Sequence, residues 1–133
     1  ADGGPWASLC AMPALWVGLL YNQGAQDAAW DLVKHFTVEE MARLRAEVPR
    51  LGLATPLDQV GTLLDLAGRV LDVAMDGLRA RKRPGAVTPD ETEYLGTLLE
   101  TVATGRTPAE VLLERYNGAC GKSVDPIFTE LAY

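Results

Sequence analysis

The chain has 133 residues, of which 48% are hydrophobic and 23% are charged, and its formal net charge is −6. This composition is typical of an ordinary globular domain rather than a disordered segment, and the length suits a single domain. An acidic chain is poorly suited to nucleic acid, because phosphate neutralisation needs clustered Lys and Arg. We therefore expect no nucleic-acid partner. The one basic cluster, residues 79–83, is interpreted as a complement to a helix dipole.

The longest apolar stretch covers residues 11–21, about half of what a helix needs to span a bilayer, so no membrane partner is expected. Two cysteines and one histidine are too few for a disulfide scaffold or a structural zinc site. This cysteine usage indicates a reducing compartment, and we predict a cytoplasmic protein. Because the chain begins at Ala1 without a methionine, we expect it to be a piece of a longer polypeptide.

Helix start signals recur along the chain. The capping pattern Thr-x-x-Glu occurs at residues 37–40, 88–91 and 107–110, and a weaker Thr-x-x-Asp copy occurs at residues 55–58. Gly52, Gly105 and Gly118 follow three of the predicted helices and are typical stop signals. These signals divide the chain into helical segments with short connections.

Apolar residues recur every three or four positions between Leu57 and Arg83, which predicts one long amphipathic helix over that range. No segment alternates with a period of two, so no strand is predicted. The predicted fold is all-α, with residues 1–133 forming one unit. The expected helices are Pro5 to Tyr21, Gln26 to Phe36, Val38 to Val48, Leu57 to Lys82, Pro89 to Thr104, Pro108 to Asn117 and Pro126 to Leu131.

Few side chains suggest chemistry. His35 is interpreted as a solvated residue at a helix end, Cys10 as a buried inert thiol, and Cys120 as an exposed one. Trp16 and Trp30 lie in apolar helical contexts, so both are expected in the core. The acidic residues fall mostly in first helical turns, where they complement the dipole, and they are not expected to gather around a metal ion. No catalytic residue or metal ligand is therefore predicted.

The segment Asp2-Gly3-Gly4-Pro5-Trp6 stands apart, because two glycines permit close approach of a ligand and the proline then opens a helix. A carboxylate or phosphate would fit at such a helix start. The residues alone also allow an ordinary turn there.

This segment, together with Cys10 and the run Met12 to Tyr21, resembles the glutamate-cysteine ligase family of proteobacteria and plants. The resemblance continues through four further stretches, at residues 29–33, 48–53, 105–118 and 123–133. It implies that the chain is the C-terminal part of a longer enzyme. It also implies a helical layer against the curved antiparallel sheet of an α+β, glutamine-synthetase-like fold.

The resemblance implies an ATP-dependent ligase that joins the γ-carboxylate of glutamate to the amine of cysteine, the first step of glutathione biosynthesis. ATP and Mg²⁺ would be bound mainly by residues upstream of this chain, in the sheet, so the chain alone is expected to be inactive. Gly3, Gly4, Pro5 and Trp6 are the implied substrate-binding residues, with Trp6 as a wall of the glutamate pocket. L-Glutamate and L-cysteine, together with the upstream sheet, are the expected partners.

Cys120 departs from the resemblance, since relatives usually carry a tryptophan in that stretch. Plant relatives have a cysteine at the position of Cys10 that pairs with an upstream one, which leaves redox control open here. Two other functions stay open as well. One is the sister ligase of ergothioneine biosynthesis, and the other is a non-catalytic helical interaction module.

Overall fold

The computed structural model describes residues 6–82 and 90–130. Most of these residues are helical, which confirms the all-α prediction. The α-helices of the described residues are α1 (Trp6–Leu20), α2 (Gln23–Val33), α3 (Val38–Leu51), α4 (Leu63–Arg81), α5 (Gly96–Thr104), α6 (Pro108–Asn117) and α7 (Asp125–Glu130). Two short 3₁₀ helices, Gly52–Ala54 and Glu91–Leu95, and two two-residue strands, β1 (Pro56–Leu57) and β2 (Gly61–Thr62), complete them.

The prediction that a helix begins at Leu57 is wrong, because residues 56–62 form an antiparallel ribbon in which Leu57 pairs with Gly61. The helix begins six residues later. Thr62 caps α4 through the amide of Asp65, and the Asp65 carboxylate accepts from the Thr62 amide in return. Thr55 is fully buried and its hydroxyl donates to the Gly52 carbonyl, so this side chain is not free to cap a helix.

Other predicted boundaries shift by a few residues for similar reasons. Helix α2 begins at Gln23 rather than at residue 26, because the Asn22 side chain accepts from the Ala25 amide. Helix α3 runs beyond residue 48, through Pro49, and ends at Leu51; the next residue, Gly52, has a φ of 55° that favours glycine. The segment expected as one helix from residue 89 to 104 begins as the 3₁₀ helix Glu91–Leu95 and becomes α-helical only at residue 96. Residues 83–89 lie outside the described part, and with them Thr88 and Pro89, the first two residues of the capping pattern at 88–91.

The core lies between α1 and α4. Its buried members are Ala14, Leu19, Leu71, Ala74, Leu78 and Leu95. Gly18 and Gly77 let the two helices approach closely, since a Cβ on Gly77 would lie 2.7 Å from the carbonyl carbon of Gly18. Helices α2 and α5 flank this pair.

Helices α6 and α7 make only sparse contacts with the other described elements. Helix α6 has no buried residue, and residues 125–128 of α7 are not buried either. Leu113 and Phe128 are large, apolar and exposed. Both helices therefore carry apolar side chains that the described part of the chain leaves exposed.

Candidate functional site

The predicted substrate-binding segment falls at the edge of the described residues. Gly3, Gly4 and Pro5 lie outside them, and Trp6 is described only as the first residue of α1. The segment therefore directly precedes the start of a 15-residue helix. Its assignment to a glutamate pocket stays a prediction.

The two cysteines are placed opposite to expectation. Cys10 is exposed and Cys120 is buried, and both are free thiols. Cys10 has apolar neighbours in sequence, but it lies on the side of α1 that no described helix covers. Cys120 is buried because the loop after α6 folds back: the Cys120 amide donates to the Arg115 carbonyl, and the Lys122 amide donates to the Tyr116 carbonyl.

Carboxylates at two helix starts are held by local hydrogen bonds, at Glu110 as predicted and at Asp65 in addition. The Thr107 amide donates to Glu110 at 2.7 Å and the Thr107 hydroxyl at 2.8 Å, and these two bonds lower the pKa of Glu110. The hydroxyl and amide of Thr62 lower the pKa of Asp65 in the same way. These acids serve their own helices, so no chemistry is assigned to them.

A dense charge cluster surrounds Arg43, which joins α3 to the ribbon. Its guanidinium lies 2.7 Å from Glu47, 3.5 Å from Asp58 and 3.8 Å from Glu40, and it also donates to the Pro56 carbonyl. One cation thus serves three carboxylates. Because the guanidinium occupies the space between them, the arrangement is a structural ion-pair network.

Within residues 6–82 and 90–130, no group of three His, Cys, Asp or Glu side chains is close enough to hold a metal ion. The described part of the chain therefore does not fit a Mg²⁺ site. His35 lies exposed in the turn after α2, as expected for a solvated histidine. No helix of the described part is both long and apolar enough to cross a membrane.

The expectation of core positions for two tryptophans is wrong. Trp16 is 55% exposed and Trp30 is 64% exposed. Trp16 belongs to a row on α1 with Leu9, Met12 and Leu20, all exposed, whereas Ala11 on the opposite side is fully buried. We call this row the outer face of α1. The helix is apolar on both sides, a pattern typical of a helix covered all round.

Trp30 lines a second apolar surface, a groove of about 730 Å³ between α2, α3 and the start of α4. Sequence reasoning did not locate either surface, because Trp16 and Trp30 were assumed to pack within this chain. The signal was available in α1, whose apolar residues surround the helix rather than following one stripe.

The sequence pattern of glutamate-cysteine ligase family 2 matches residues 1–130. The chain belongs to this family. The resemblance seen in its motifs is thereby confirmed over almost the whole chain.

Among members of glutamate-cysteine ligase family 2, the chain is 47% identical to the chloroplastic glutamate–cysteine ligase of Solanum lycopersicum. It is 49% identical to that of Arabidopsis thaliana and 41% identical to ligase A of Oryza sativa subsp. indica. All 133 residues align in each case, and they cover 24% of the first two relatives and 26% of the third. The chain thus spans about a quarter of these relatives' length. That it is the C-terminal quarter stays a prediction.

The predicted cytoplasmic location is contradicted by these family members, which are named chloroplastic. The prediction rested on cysteine usage. Few cysteines indicate only that thiols stay reduced, a property that does not single out the cytoplasm.

Proposed function

We propose that this chain is part of a glutamate–cysteine ligase, which joins glutamate to cysteine at the expense of ATP and commits them to glutathione synthesis. The observation that carries the proposal is the family match over residues 1–130, supported by relatives named for this activity that are 41–49% identical across the whole chain. ATP and Mg²⁺ would be bound by the rest of the enzyme, since the described residues offer no metal site.

Within that enzyme, the chain would supply a helical layer that packs on the catalytic sheet. The outer face of α1 supports this role, because Leu9, Met12, Trp16 and Leu20 are exposed in this chain. Burying a large apolar side chain contributes about 1.5–3 kcal/mol, so such a row favours a covering layer. The relatives are about four times as long as the match, which leaves room for one.

The activity is tested on the complete polypeptide that contains this chain. We expect release of ADP that requires both glutamate and cysteine, with formation of γ-glutamylcysteine detected by mass spectrometry. The 133-residue chain alone should release no ADP. The assignment would be refuted if ADP release required neither amino acid, or if the enzyme preferred an amine acceptor other than cysteine.

Gly3, Gly4, Pro5 and Trp6 are proposed to border the glutamate pocket. Two glycines before a helix start allow close approach of a carboxylate to the free amides of the first turn. In the complete enzyme, Trp6→Ala should raise the KM for glutamate by roughly tenfold to a hundredfold and change kcat less, because a pocket wall binds substrate and transition state alike.

The matched control is Trp16→Ala, which removes a tryptophan from the same helix but from its outer face. It should lower the melting temperature and leave the KM for glutamate unchanged. If Trp6→Ala lowered the melting temperature while the glutamate KM stayed normal, Trp6 would be a packing residue and the pocket assignment would be wrong.

A further inference from the structure

The groove between α2, α3 and the start of α4 is a surface distinct from the outer face of α1. Its apolar lining includes Trp30, Val33, Phe36, Met41, Leu44 and Leu63. Trp30 and Met41 on its rim are 64% and 43% exposed, so the groove is open along its length rather than enclosed. Two helices with an apolar trough between them are the usual seat for a third helix.

Two charged residues line the groove, and both are cationic, although the chain carries a net charge of −6. Lys34 and Arg45 are the charged residues that line it, one at the end of α2 and the other on α3. Lys34 is bound to Asp31 at 2.6 Å, an interaction that lowers the pKa of Asp31. Arg45 forms no ion pair within the described part of the chain, and its side chain is exposed. An occupant with a carboxylate beside its apolar stripe would complement this rim.

We propose that the groove docks an acidic amphipathic helix that belongs to the remainder of the same polypeptide. The inference rests on the proposed function, because it takes the chain to be one quarter of a larger ligase. About three quarters of the length of the relatives lies outside the matched region and is available to supply the helix. The groove and the outer face of α1 would then be two separate contacts, which would fix the orientation of the helical layer.

The test uses cysteine labelling in the complete polypeptide, followed peptide by peptide with mass spectrometry. Met41→Cys places a thiol in the groove, and Ala42→Cys places one on the same helix at an exposed position outside the groove. With N-ethylmaleimide as the probe, we expect Met41→Cys to react at least about tenfold more slowly than Ala42→Cys. Equal rates would show an uncovered groove and overturn the proposal.

Charge reversal tests the acidic character of the docked helix. Arg45→Glu, introduced beside Met41→Cys, should restore fast labelling, because the exposed guanidinium would be replaced by a repelling carboxylate. Arg50→Glu is the matched control, since Arg50 is exposed on the same helix but does not line the groove. Protection that survives Arg45→Glu would overturn an acidic occupant.

Dilution distinguishes two possible sources of the covering segment, the same polypeptide and a second copy of it. Protection by the same polypeptide is independent of protein concentration, whereas protection by a second copy is lost on dilution. Concentration-dependent protection would therefore overturn the proposal in favour of a dimer interface. None of these readouts requires ligase activity, so a failure of the proposed function and a failure of the docking site are distinguishable.

Discussion

Single residues decide how closely the two central helices pack. At Gly18 and Gly77 the backbones of α1 and α4 touch, and an added Cβ at either position would meet the backbone of the opposite helix. Neither backbone can move without disturbing the core around Ala74, which is fully buried. A glycine in a helix normally lowers stability, so its presence here is explained by the close approach.

Gly77→Ala should therefore destabilise the protein by about 1–3 kcal/mol or more, because the new methyl group would overlap backbone atoms of α1. Gly68→Ala is the matched control on the same helix. The nearest atom to a Cβ there is Val102 Cγ1 at 3.8 Å, an ordinary contact, so this variant should gain roughly 0.5–1 kcal/mol from better helix propensity. Urea denaturation measures the free energy of unfolding of both variants. Equal values for Gly77→Ala and Gly68→Ala would contradict the packing argument.

Glu110 illustrates a local pH dependence. Its pKa is lowered from the ordinary value of 4.5, first by the hydrogen bond from the Thr107 amide and second by that from the Thr107 hydroxyl. A carboxyl group with a lowered pKa in the folded state contributes stability that is present above its unfolded pKa. That contribution is lost as the pH falls through the lowered folded value.

Thr107→Val should raise the pKa of Glu110 part of the way back to 4.5, because the hydroxyl bond is removed and the amide bond remains. Carbon-detected NMR titration of the side-chain carboxyl measures this directly. Thr104→Val is a suitable control, since its hydroxyl bonds backbone carbonyls of α5 and does not touch Glu110. An unchanged Glu110 pKa in Thr107→Val would show that the hydroxyl bond does not form in solution.

At the scale of elements, caps decide where helices begin. Helices α4 and α6 both start with a reciprocal threonine box, at Thr62 with Asp65 and at Thr107 with Glu110. The ribbon before α4 competes with helical structure over residues 56–62, and the box at Thr62 decides the outcome. The long apolar periodicity beginning at Leu57 could not reveal this competition.

Thr62→Ala should cost about 1 kcal/mol of stability, since the amide of Asp65 would lose its side-chain partner. Hydrogen exchange should quicken at the first turn of α4 and stay unchanged in its middle, around Leu71. Thr92→Ala, at the start of the 3₁₀ helix Glu91–Leu95, serves as a comparison. This variant should leave hydrogen exchange in α4 unchanged. If the first turn of α4 exchanged no faster in Thr62→Ala than in the wild type, the capping box would not set the start of this helix.

At the scale of the whole molecule, the chain leaves large apolar surfaces uncovered. The outer face of α1, the groove beside α2 and the exposed Leu113 and Phe128 lie on different elements. Apolar surfaces of this extent mark contacts with other protein. This distribution is the one expected of a segment surrounded by a larger enzyme.

The 133-residue chain by itself should therefore self-associate with increasing concentration in sedimentation velocity. Trp16→Glu should weaken this association by about tenfold or more, because aromatic anchors carry much of the binding energy of interfaces. Ala103→Glu adds the same charge at an exposed, small residue of α5 and should have little effect. A chain that stays monomeric at every concentration would instead favour an independent helical module.

The amino-acid sequence by itself determined the helical class, most helix boundaries to within a few residues, and family membership. These properties depend on local patterns, namely capping residues, apolar periodicity and motif identity. Helix α6 was predicted at its observed bounds because its cap, proline and stop residues all act within one segment. The candidate site at Gly3 to Trp6 came from the glycine pair before a helix start together with the resemblance, and it stays a prediction.

Only the tertiary structure decided which side of each helix is covered. Cys10, Trp16 and Trp30 have apolar neighbours in sequence and are exposed, whereas Cys120 lies among small loop residues and is buried. Burial depends on what packs against a residue across the fold, and for this chain some of those partners would lie beyond its own 133 residues. Apolar periodicity shows which sides of a helix are apolar, but it does not identify the segment that covers them.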